Sequence, residues 1–142
     1  MPYQLNTEIN LTPETNSKYL ISAQHRMLGH PIKSVWSISY DEEVICFSTS
    51  CTSNWFADAH YWGLHVINDV MNVLGHNNRR EELKIAKFVD GSQNDVWHGY
   101  PADYLRNKHD IPHTTVLTTW KSLGYISKST LNKLRRGIPC NL

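Results

Sequence analysis

The spacing of apolar residues predicts three helices in the first two thirds of the chain. The apolar residues that follow Thr12 recur every three or four positions, which predicts a helix over residues 13–28. A single apolar stripe over residues 54–74 predicts a central packed helix that ends at a glycine. An asparagine suitable for capping precedes residues 79–89, where the pattern predicts a further helix.

Between the first two of these helices the pattern changes to strand-like alternation. Trp36, Ile38 and Tyr40 alternate with polar residues before an acidic turn, and β-branched and aromatic residues resume after the turn. The pattern therefore predicts a β-hairpin with strands over residues 32–40 and 43–49.

The last third of the chain is predicted to be a loop followed by two helices. Glycines and a proline between residues 91 and 101 disfavour a long regular element, so we expect a loop that ends in a short helical turn over residues 102–107. The stretches HTTVLTTWKSLG and SKSTLNKLRRG each predict a helix stopped by glycine, and Ser127 is placed to cap the second helix.

These elements predict the fold class. No internal repeat, low-complexity segment or linker divides residues 1–142, so we expect one α+β domain that is mostly helical and has one small antiparallel β-hairpin or sheet. Residues 1–11 are predicted to be irregular, and residues 113–137 to form a basic helical pair that resembles a helix-turn-helix.

The composition indicates the type of protein and its cellular compartment. With 142 residues, 40% of them hydrophobic and 19% charged, the chain has the composition of a globular protein and not of a disordered one. It contains no run of eighteen apolar residues and no secretory signal at its amino terminus, so we expect a cytoplasmic protein without a membrane partner. The three cysteines have no disulfide-framework spacing, which fits a reducing compartment.

Charge is unevenly distributed along the chain, although the formal net charge is only +1. Residues 1–78 hold three basic and seven acidic residues, whereas residues 79–142 hold eleven basic and six acidic residues. A positive carboxyl-terminal part is typical of proteins with a polyanionic partner, although a solvated basic helix would give the same pattern.

The closing stretch SLGYISKSTLNKLRRG resembles the helix-turn-helix of phage-repressor-type proteins. The resemblance implies that the amino end of the second helix faces base edges, while its later basic side chains contact phosphates. Two ordinary helices with a basic cap would explain the same residues, because cations are favoured at a helix carboxyl end. The residues predicted to bind nucleic acid are Lys128, Ser129, Asn132, Lys133, Arg135 and Arg136.

The stretch DVWHGYPADYLRN contains the candidate catalytic residues. We expect His98 to act as an acid or base, Asp95 or Asp103 to orient its imidazole, Tyr100 to donate a hydrogen bond and Arg106 to bind an anion. The alternative is structural, with the aromatic side chains of this stretch forming a hydrophobic plug whose polar tips bond back to the loop.

Other chemistry has weaker support. Cys51 precedes the helix predicted from residue 54, where a helix dipole would favour a thiolate, but no nucleophile motif flanks it. His60 and His65 lie five residues apart, which places them on different faces of the predicted helix, so we expect no metal site. Phosphate-binding loops and dinucleotide fingerprints are absent from the sequence, so we expect no cofactor.

Together these features predict a small nucleic-acid-interacting protein, with DNA or RNA as its partner. In this hypothesis the basic closing helices hold phosphate and the aromatic stretch around His98 stacks bases beside them. A first alternative is a small metal-independent enzyme, either a toxin-like or defence-related ribonuclease or a hydrolase, that uses His98 as acid and base. A second alternative is a module that binds another protein through exposed Trp and Tyr side chains.

Overall fold

Strands outnumber helices in the fold. The computed structural model describes residues 4–6, 8–10, 17–26, 33–91 and 93–142. Its strands are β1 (Glu8–Asn10), β2 (Lys18–Leu20), β3 (Val35–Trp36), β4 (Phe56–Ala57), β5 (His60–Ile67), β6 (Val70–Asn72), β7 (Gly75–His76), β8 (Glu82–Leu83), β9 (Ile85–Val89) and β10 (Val96–Ala102). Its helices are α1 (Tyr40–Thr52), α2 (Thr114–Ser122) and α3 (Lys128–Arg136), with short 3-10 turns at Ala23–His25 and Lys108–Asp110.

The strands form two sheets. The larger sheet has seven strands in the order β1-β2-β10-β9-β5-β4, and β6 also pairs with β5. Its pairings are antiparallel except for the parallel pairing of β2 with β10, and in the β9–β10 pairing His98 lies opposite Val89 and Tyr100 opposite Lys87. The smaller sheet is antiparallel, in the order β3-β7-β8.

The expectation of a mostly helical chain is therefore wrong, and the fold is a sheet-rich α+β structure. The error is largest over residues 54–74, which form β4, β5 and β6 instead of one long helix. The chain reverses at Asn68 and Asp69, whose φ angles of 52° and 64° fit a hairpin turn and not a right-handed helix. Residues 79–89, also predicted to be helical, form β8 and β9.

The predicted hairpin over residues 32–49 is wrong as well. Residues 40–52 form α1, and Ser39 begins the helix because its side chain accepts from the backbone N–H of Glu42 while the Glu42 side chain accepts from the backbone N–H of Ser39. The acidic residues 41–43 therefore lie in the first turn of a helix and not in a hairpin turn.

Two further predictions near the amino terminus differ from the structure in part, although residues 4–6 lie in no helix or strand. Of the helix predicted over residues 13–28, residues 17–26 form β2 and a 3-10 turn, and the remainder lies outside the described residues. Of residues 1–11, predicted to be irregular, Glu8–Asn10 form β1, while residues 1–3, 7 and 11 lie outside the described part.

The closing helical pair is confirmed as local structure. Ser127 caps α3 by accepting from the backbone N–H of Thr130. Gly124 follows α2 and Gly137 ends α3, with φ angles of 86° and 68° that favour glycine.

The two sides of the larger sheet carry separate hydrophobic clusters. Along β9, Ala86 and Phe88 belong to the cluster with α1, whereas Ile85 belongs to the cluster with α2 and α3. This alternation follows from the two-residue period of a strand. Helix α1 therefore covers one side of the sheet, and the closing helical pair covers part of the other side. No helix in the described ranges has the length and apolar character needed to span a membrane.

Candidate active site

The predicted loop around His98 is strand β10, and its side chains alternate between the core and a cavity. Trp97 is only 6% exposed and packs in the α1 cluster, against Phe47 and Tyr61. His98 and Tyr100 leave the strand on the opposite side, as the two-residue period requires, and line the cavity. The short helical turn predicted over residues 102–107 corresponds to the end of β10 followed by a hydrogen-bonded turn.

This cavity has a volume of about 600 Å³ and is lined mainly by polar side chains. All four predicted catalytic residues lie on its wall: His98, Tyr100, Asp103 and Arg106. Other parts of the chain add His25, Lys33, Ser34, Asn77, Arg79 and Asp110 to the lining. The structure therefore brings the predicted catalytic residues together with groups that lie far from them in the sequence.

Asp110 anchors one wall of the cavity. Its carboxylate is buried and accepts hydrogen bonds from the Tyr100 hydroxyl at 2.9 Å and from the Asp103 backbone N–H at 2.8 Å. Burial, together with the neighbouring Asp110 carboxylate, raises the pKa of Tyr100 far above its usual value. Tyr100 is therefore a fixed hydrogen-bond donor and remains protonated at neutral pH.

Among the described residues the Asp103 carboxylate makes no hydrogen bond to His98, the imidazole that it was expected to orient. Its carboxylate accepts from Asn77 Nδ2 at 3.0 Å, and the same amide donates to Glu81 at 2.8 Å. Glu81 also accepts from Arg106 at 2.7 Å, in an exposed ion pair. Asp103 and Arg106 are thus joined through Asn77 and Glu81, and this chain forms the rim of the cavity.

The imidazole of His98 is half-buried and hydrogen-bonds to none of the described residues. Burial lowers its pKa, and the positive charge of Lys33 lowers it further, while Asp90 acts weakly in the opposite direction. His98 is therefore neutral at pH 7, and an uncharged imidazole can accept a proton.

Two cations lie on the cavity wall without a carboxylate partner in the described part of the chain. These are the half-buried Lys33 and the exposed Arg79. Arg106 also lies on the wall, but its charge is paired with Glu81 at the rim. The Asp103 and Asp110 carboxylates already accept hydrogen bonds, so Lys33 and Arg79 can still contact an anionic ligand.

A second histidine, His25, lies beside Tyr100 and was missed in the sequence. Its Nδ1 lies 2.9 Å from the Ser34 carbonyl oxygen, and its ring stacks on the Tyr100 ring at 5.1 Å with an interplanar angle of 19°. Ser34 in turn donates from its hydroxyl to the Pro101 carbonyl oxygen at 2.6 Å. No motif around His25 points to this position, because only the tertiary fold brings it to β10.

The predicted nucleic-acid-binding residues form a different surface. Lys128, Ser129, Lys133, Arg135 and Arg136 are exposed on α3, and Asn132 is half-buried. None of these residues lines the cavity. The structure therefore does not bring them to the cavity wall that carries His98.

The aromatic side chains expected to stack bases are held inside the protein. Trp97 is buried in the core, and Tyr100 is bonded to Asp110. The Tyr104 hydroxyl lies 3.2 Å from the Cys140 sulfur, so it is also held by an internal contact. These rings support the structural alternative for the aromatic residues of this stretch, while His98 and Arg106 remain accessible to a ligand.

The thiols are placed unfavourably for nucleophilic catalysis. Cys51 lies in the last turn of α1 and not before a helix, and burial raises its pKa to about 11. Burial also raises the pKa of Cys46 to about 12. All three cysteines are free, and the described ranges hold no cluster of three or more His, Cys, Asp or Glu side chains arranged for a metal ion.

The chain matches no protein-family model, no curated protein sequence and no solved structure. Its function is therefore argued from the chemistry of the cavity.

Proposed function

We propose that the protein is an enzyme that cleaves phosphodiester bonds in a nucleic acid by histidine acid/base chemistry, with the cavity beside β10 as its active site. One observation carries the proposal: a neutral, accessible histidine shares a single cavity with three cations that belong to separate segments of the chain. Phosphodiester cleavage requires proton transfer together with stabilisation of negative charge on phosphate oxygens.

The cations suit the charge of a phosphate group. Lys33 and Arg79 lack a carboxylate partner among the described residues, so neither has to leave an ion pair to contact a phosphate. Arg106 has a partner in Glu81, but this pair is exposed, and exposed pairs contribute little to stability. A phosphate oxygen can therefore take a hydrogen bond from Arg106 at small cost.

The histidine suits the proton transfer. The imidazole of His98 is neutral at pH 7 and makes no hydrogen bond to a described residue, so the ring can turn towards a bound hydroxyl group. Tyr100 is excluded as the base because Asp110 and burial keep it protonated. The volume of about 600 Å³ lies within the usual range for sites that bind small organic ligands, and so accommodates a segment of a nucleic acid chain.

The test is cleavage of a fluorescently labelled oligoribonucleotide by the purified protein, in buffer containing EDTA. His98→Asn should lower kcat/KM by about 10²–10⁴-fold, the usual contribution of a general acid or base, without a change in Tm. His109→Asn is the matched control, because His109 is exposed and lies outside the cavity. Equal activity of His98→Asn and wild-type protein, or no cleavage by the wild-type protein, would overturn the proposal.

A second pair of variants tests the phosphate contact. Arg79 lines the cavity, whereas its exposed neighbour Arg80 does not. Arg79→Gln should raise KM for the oligonucleotide severalfold, and Arg80→Gln should leave it unchanged, although both variants lose one positive charge. Equal effects of the two substitutions would assign the binding to overall charge and not to the cavity.

A second candidate function, nucleic-acid binding through α3, has support of its own. Lys128, Lys133, Arg135 and Arg136 are exposed on one helix, and none pairs with a carboxylate in the described part of the chain. Replacing Lys133, Arg135 and Arg136 together by Ala should weaken duplex binding and reduce the salt dependence of log K by about 0.9 for each phosphate that the variant no longer neutralises. Lys18→Ala, on β2, is the control, and an unchanged salt slope in the triple variant would exclude this surface.

A further inference from the structure

We infer that the cavity contains a second phosphate-binding subsite, formed by Arg79 and Arg106 and held by Asn77, which binds a phosphate next to the cleaved bond. This inference rests on the proposed function and makes it more specific, because it separates the place where a phosphodiester is cleaved from the place where its neighbour is bound. A strand with several charged linkages is then a better substrate than a compound with a single phosphate.

The two arginines of the cavity converge on one carboxylate. Arg106 Nη2 donates to Glu81 at 2.7 Å. The pKa of Glu81 is lowered first by a hydrogen bond from Asn77 and then by the positive charges of Arg106 and Arg79. Arg79 forms no ion pair with a carboxylate in the described part of the chain, yet its charge lies close enough to act on Glu81. The guanidinium groups of Arg79 and Arg106 therefore lie near each other on the cavity wall, and we call them the arginine pair.

Asn77 holds the arginine pair through all four hydrogen-bonding positions of its side-chain amide. Its Oδ1 accepts from the backbone N–H groups of Arg79 at 2.9 Å and Glu81 at 3.0 Å. Its Nδ2 donates to the carboxylates of Glu81 at 2.8 Å and Asp103 at 3.0 Å. Because an asparagine amide has two N–H donors and two acceptor lone pairs, its capacity is filled, and a flipped amide would oppose donor to donor. The turn that carries Arg79 and the carboxylate that holds Arg106 therefore depend on one side chain.

The arginine pair is tied to the opposite end of β10 from His98. His98 and Ala102 are four residues apart in this strand, a separation of about 13 Å at 3.3 Å per residue, and Asp103 follows directly. At the other end, burial lowers the pKa of His98 and the nearby charge of Lys33 lowers it further, so Lys33 lies with His98. One phosphate group is too small to contact both ends, whereas two phosphates of one strand can do so.

The arginine pair suits a phosphate that is bound and not cleaved. A guanidinium group has five N–H donors, and Arg106 uses Nη2 for Glu81, so further donors remain for phosphate oxygens. Arginine stays charged at neutral pH, whereas proton transfer needs a group that changes its charge. The arginine pair therefore holds the neighbouring phosphate while His98 and Lys33 act on the cleaved bond.

The experiment measures how much a neighbouring phosphate contributes to KM. The substrates are two tetraribonucleotides followed for cleavage at the central phosphodiester, one with phosphates and the other with neutral methylphosphonates at the two outer linkages. Wild-type protein should have a severalfold higher KM for the strand with neutral linkages, because the second subsite then binds no charge. In Arg79→Gln the same replacement should change KM little. Arg80→Gln, which loses a charge outside the cavity, should keep the wild-type difference.

Variants of Asn77 test how the subsite is held. Asn77→Ala should lose the same discrimination between the two strands, and Asn77→Ser, which keeps an acceptor for the turn but no donor for Glu81, should lose part of it. Asn72→Ala is the matched control, because the Asn72 amide donates to the Val70 carbonyl oxygen in another hairpin, outside the cavity. A purely structural role of Asn77 would lower Tm and raise KM for both strands equally, and would overturn its assignment as the positioning residue.

The outcomes separate this inference from the proposed function. An equal KM difference between the two strands in wild-type protein and Arg79→Gln would overturn the second subsite and leave the proposed phosphodiesterase standing. A wild-type protein that cleaves both strands with the same KM would do the same. Absence of cleavage, or equal activity of His98→Asn and wild-type protein, would overturn the proposed function and this inference with it.

Discussion

The Tyr100 hydroxyl donates to the carboxylate of Asp110 at 2.9 Å, and this bond joins strand β10 to the 3-10 turn Lys108–Asp110. Asp110 is only 4% exposed, and it also accepts the backbone N–H of Asp103. A buried carboxylate is stable only when its oxygens accept hydrogen bonds. The bond between Tyr100 and Asp110 therefore holds β10 against the 3-10 turn at this wall of the cavity.

Tyr100→Phe is expected to destabilise the protein by about 1.5–3 kcal/mol, the range for a hydrogen bond to a charged group. The substitution leaves Asp110 with one donor fewer in a buried site. Urea denaturation measures the change. Tyr104→Phe is the matched control, because its hydroxyl contacts Cys140 and not a buried carboxylate, and a smaller effect is expected. Equal stability of Tyr100→Phe and wild-type protein would contradict the importance of this bond.

Gly99→Ala is expected to cost about 1–3 kcal/mol, because the pocket that the new methyl group would enter is already filled. A Cβ at this position would lie 2.2 Å from Cδ1 of Phe88, the residue directly opposite on β9. Differential scanning calorimetry should show a lower Tm. Gly91→Ala provides the comparison, since a Cβ there meets nothing within 4 Å. A variant at residue 99 as stable as the variant at residue 91 would disprove the close packing.

The stability of the protein should fall when the pH is lowered below about 6.5, the pKa of an unfolded histidine. Burial lowers the pKa of both His98 and His60 in the folded state, so the unfolded chain binds protons more readily as the pH falls. The stabilising contribution is complete above the unfolded pKa and is lost as the pH falls through the lowered pKa. His98→Asn should show a smaller loss of unfolding free energy between pH 8 and pH 5 than wild-type protein. Identical pH profiles would refute this effect.

Arg26→Ala should be strongly destabilising, by about 3–5 kcal/mol. Glu43 is fully buried in α1, where it accepts from Arg26 Nη2 at 2.7 Å and from the Tyr19 hydroxyl, so removal of the cation leaves a buried carboxylate with no opposite charge. Chemical denaturation gives the magnitude. Lys18→Ala breaks the exposed pair with Glu8 and should change stability by about 1 kcal/mol or less. Similar losses in the two variants would argue against a special role for the buried pair.

The elements that the sequence predicts correctly are those specified by local signals. Helices α2 and α3 are short, each is followed by a glycine with positive φ, and Ser127 bonds within the first turn of α3. Every one of these interactions joins residues a few positions apart, so a pattern read along the chain contains the relevant information.

The prediction for the central segment is wrong because its apolar positions fit both the helical period and the two-residue period of a strand. Residues 54–74 form β4, β5 and β6, and helical spacing alone does not distinguish them from one amphipathic helix. The deciding features are the positive φ angles of Asn68 and Asp69, which make the turn, and the pairing of β5 with β9, a contact distant in the sequence.

Strand β10 was mistaken for a loop because glycine and proline usually interrupt regular structure. Here the absence of a side chain at Gly99 leaves room for Phe88. Pro101 lies near the end of the strand, beyond Val96 and Trp97, which are the residues that pair with β2, so the pairing with β2 needs no N–H from Pro101. The context that permits both residues is tertiary.

The same distinction applies to the candidate active site. His98, Tyr100, Asp103 and Arg106 lie within nine positions of one another, so one stretch of sequence drew attention to all four. His25, Lys33 and Arg79 come from three other segments and reach the cavity only through the fold. No local motif marks them, and their contribution could not be predicted without coordinates.

Strand β10 contributes one side to the hydrophobic core and the other side to the proposed active site. A slip of one residue in its alignment with β9 would point Trp97 outward and push His98 into the packing around α1. A register error in this strand would consequently disrupt the cavity and the hydrophobic core together. The proposed activity should therefore depend on the native register, and variants that lose it while remaining well folded should carry substitutions on the cavity side of the strand.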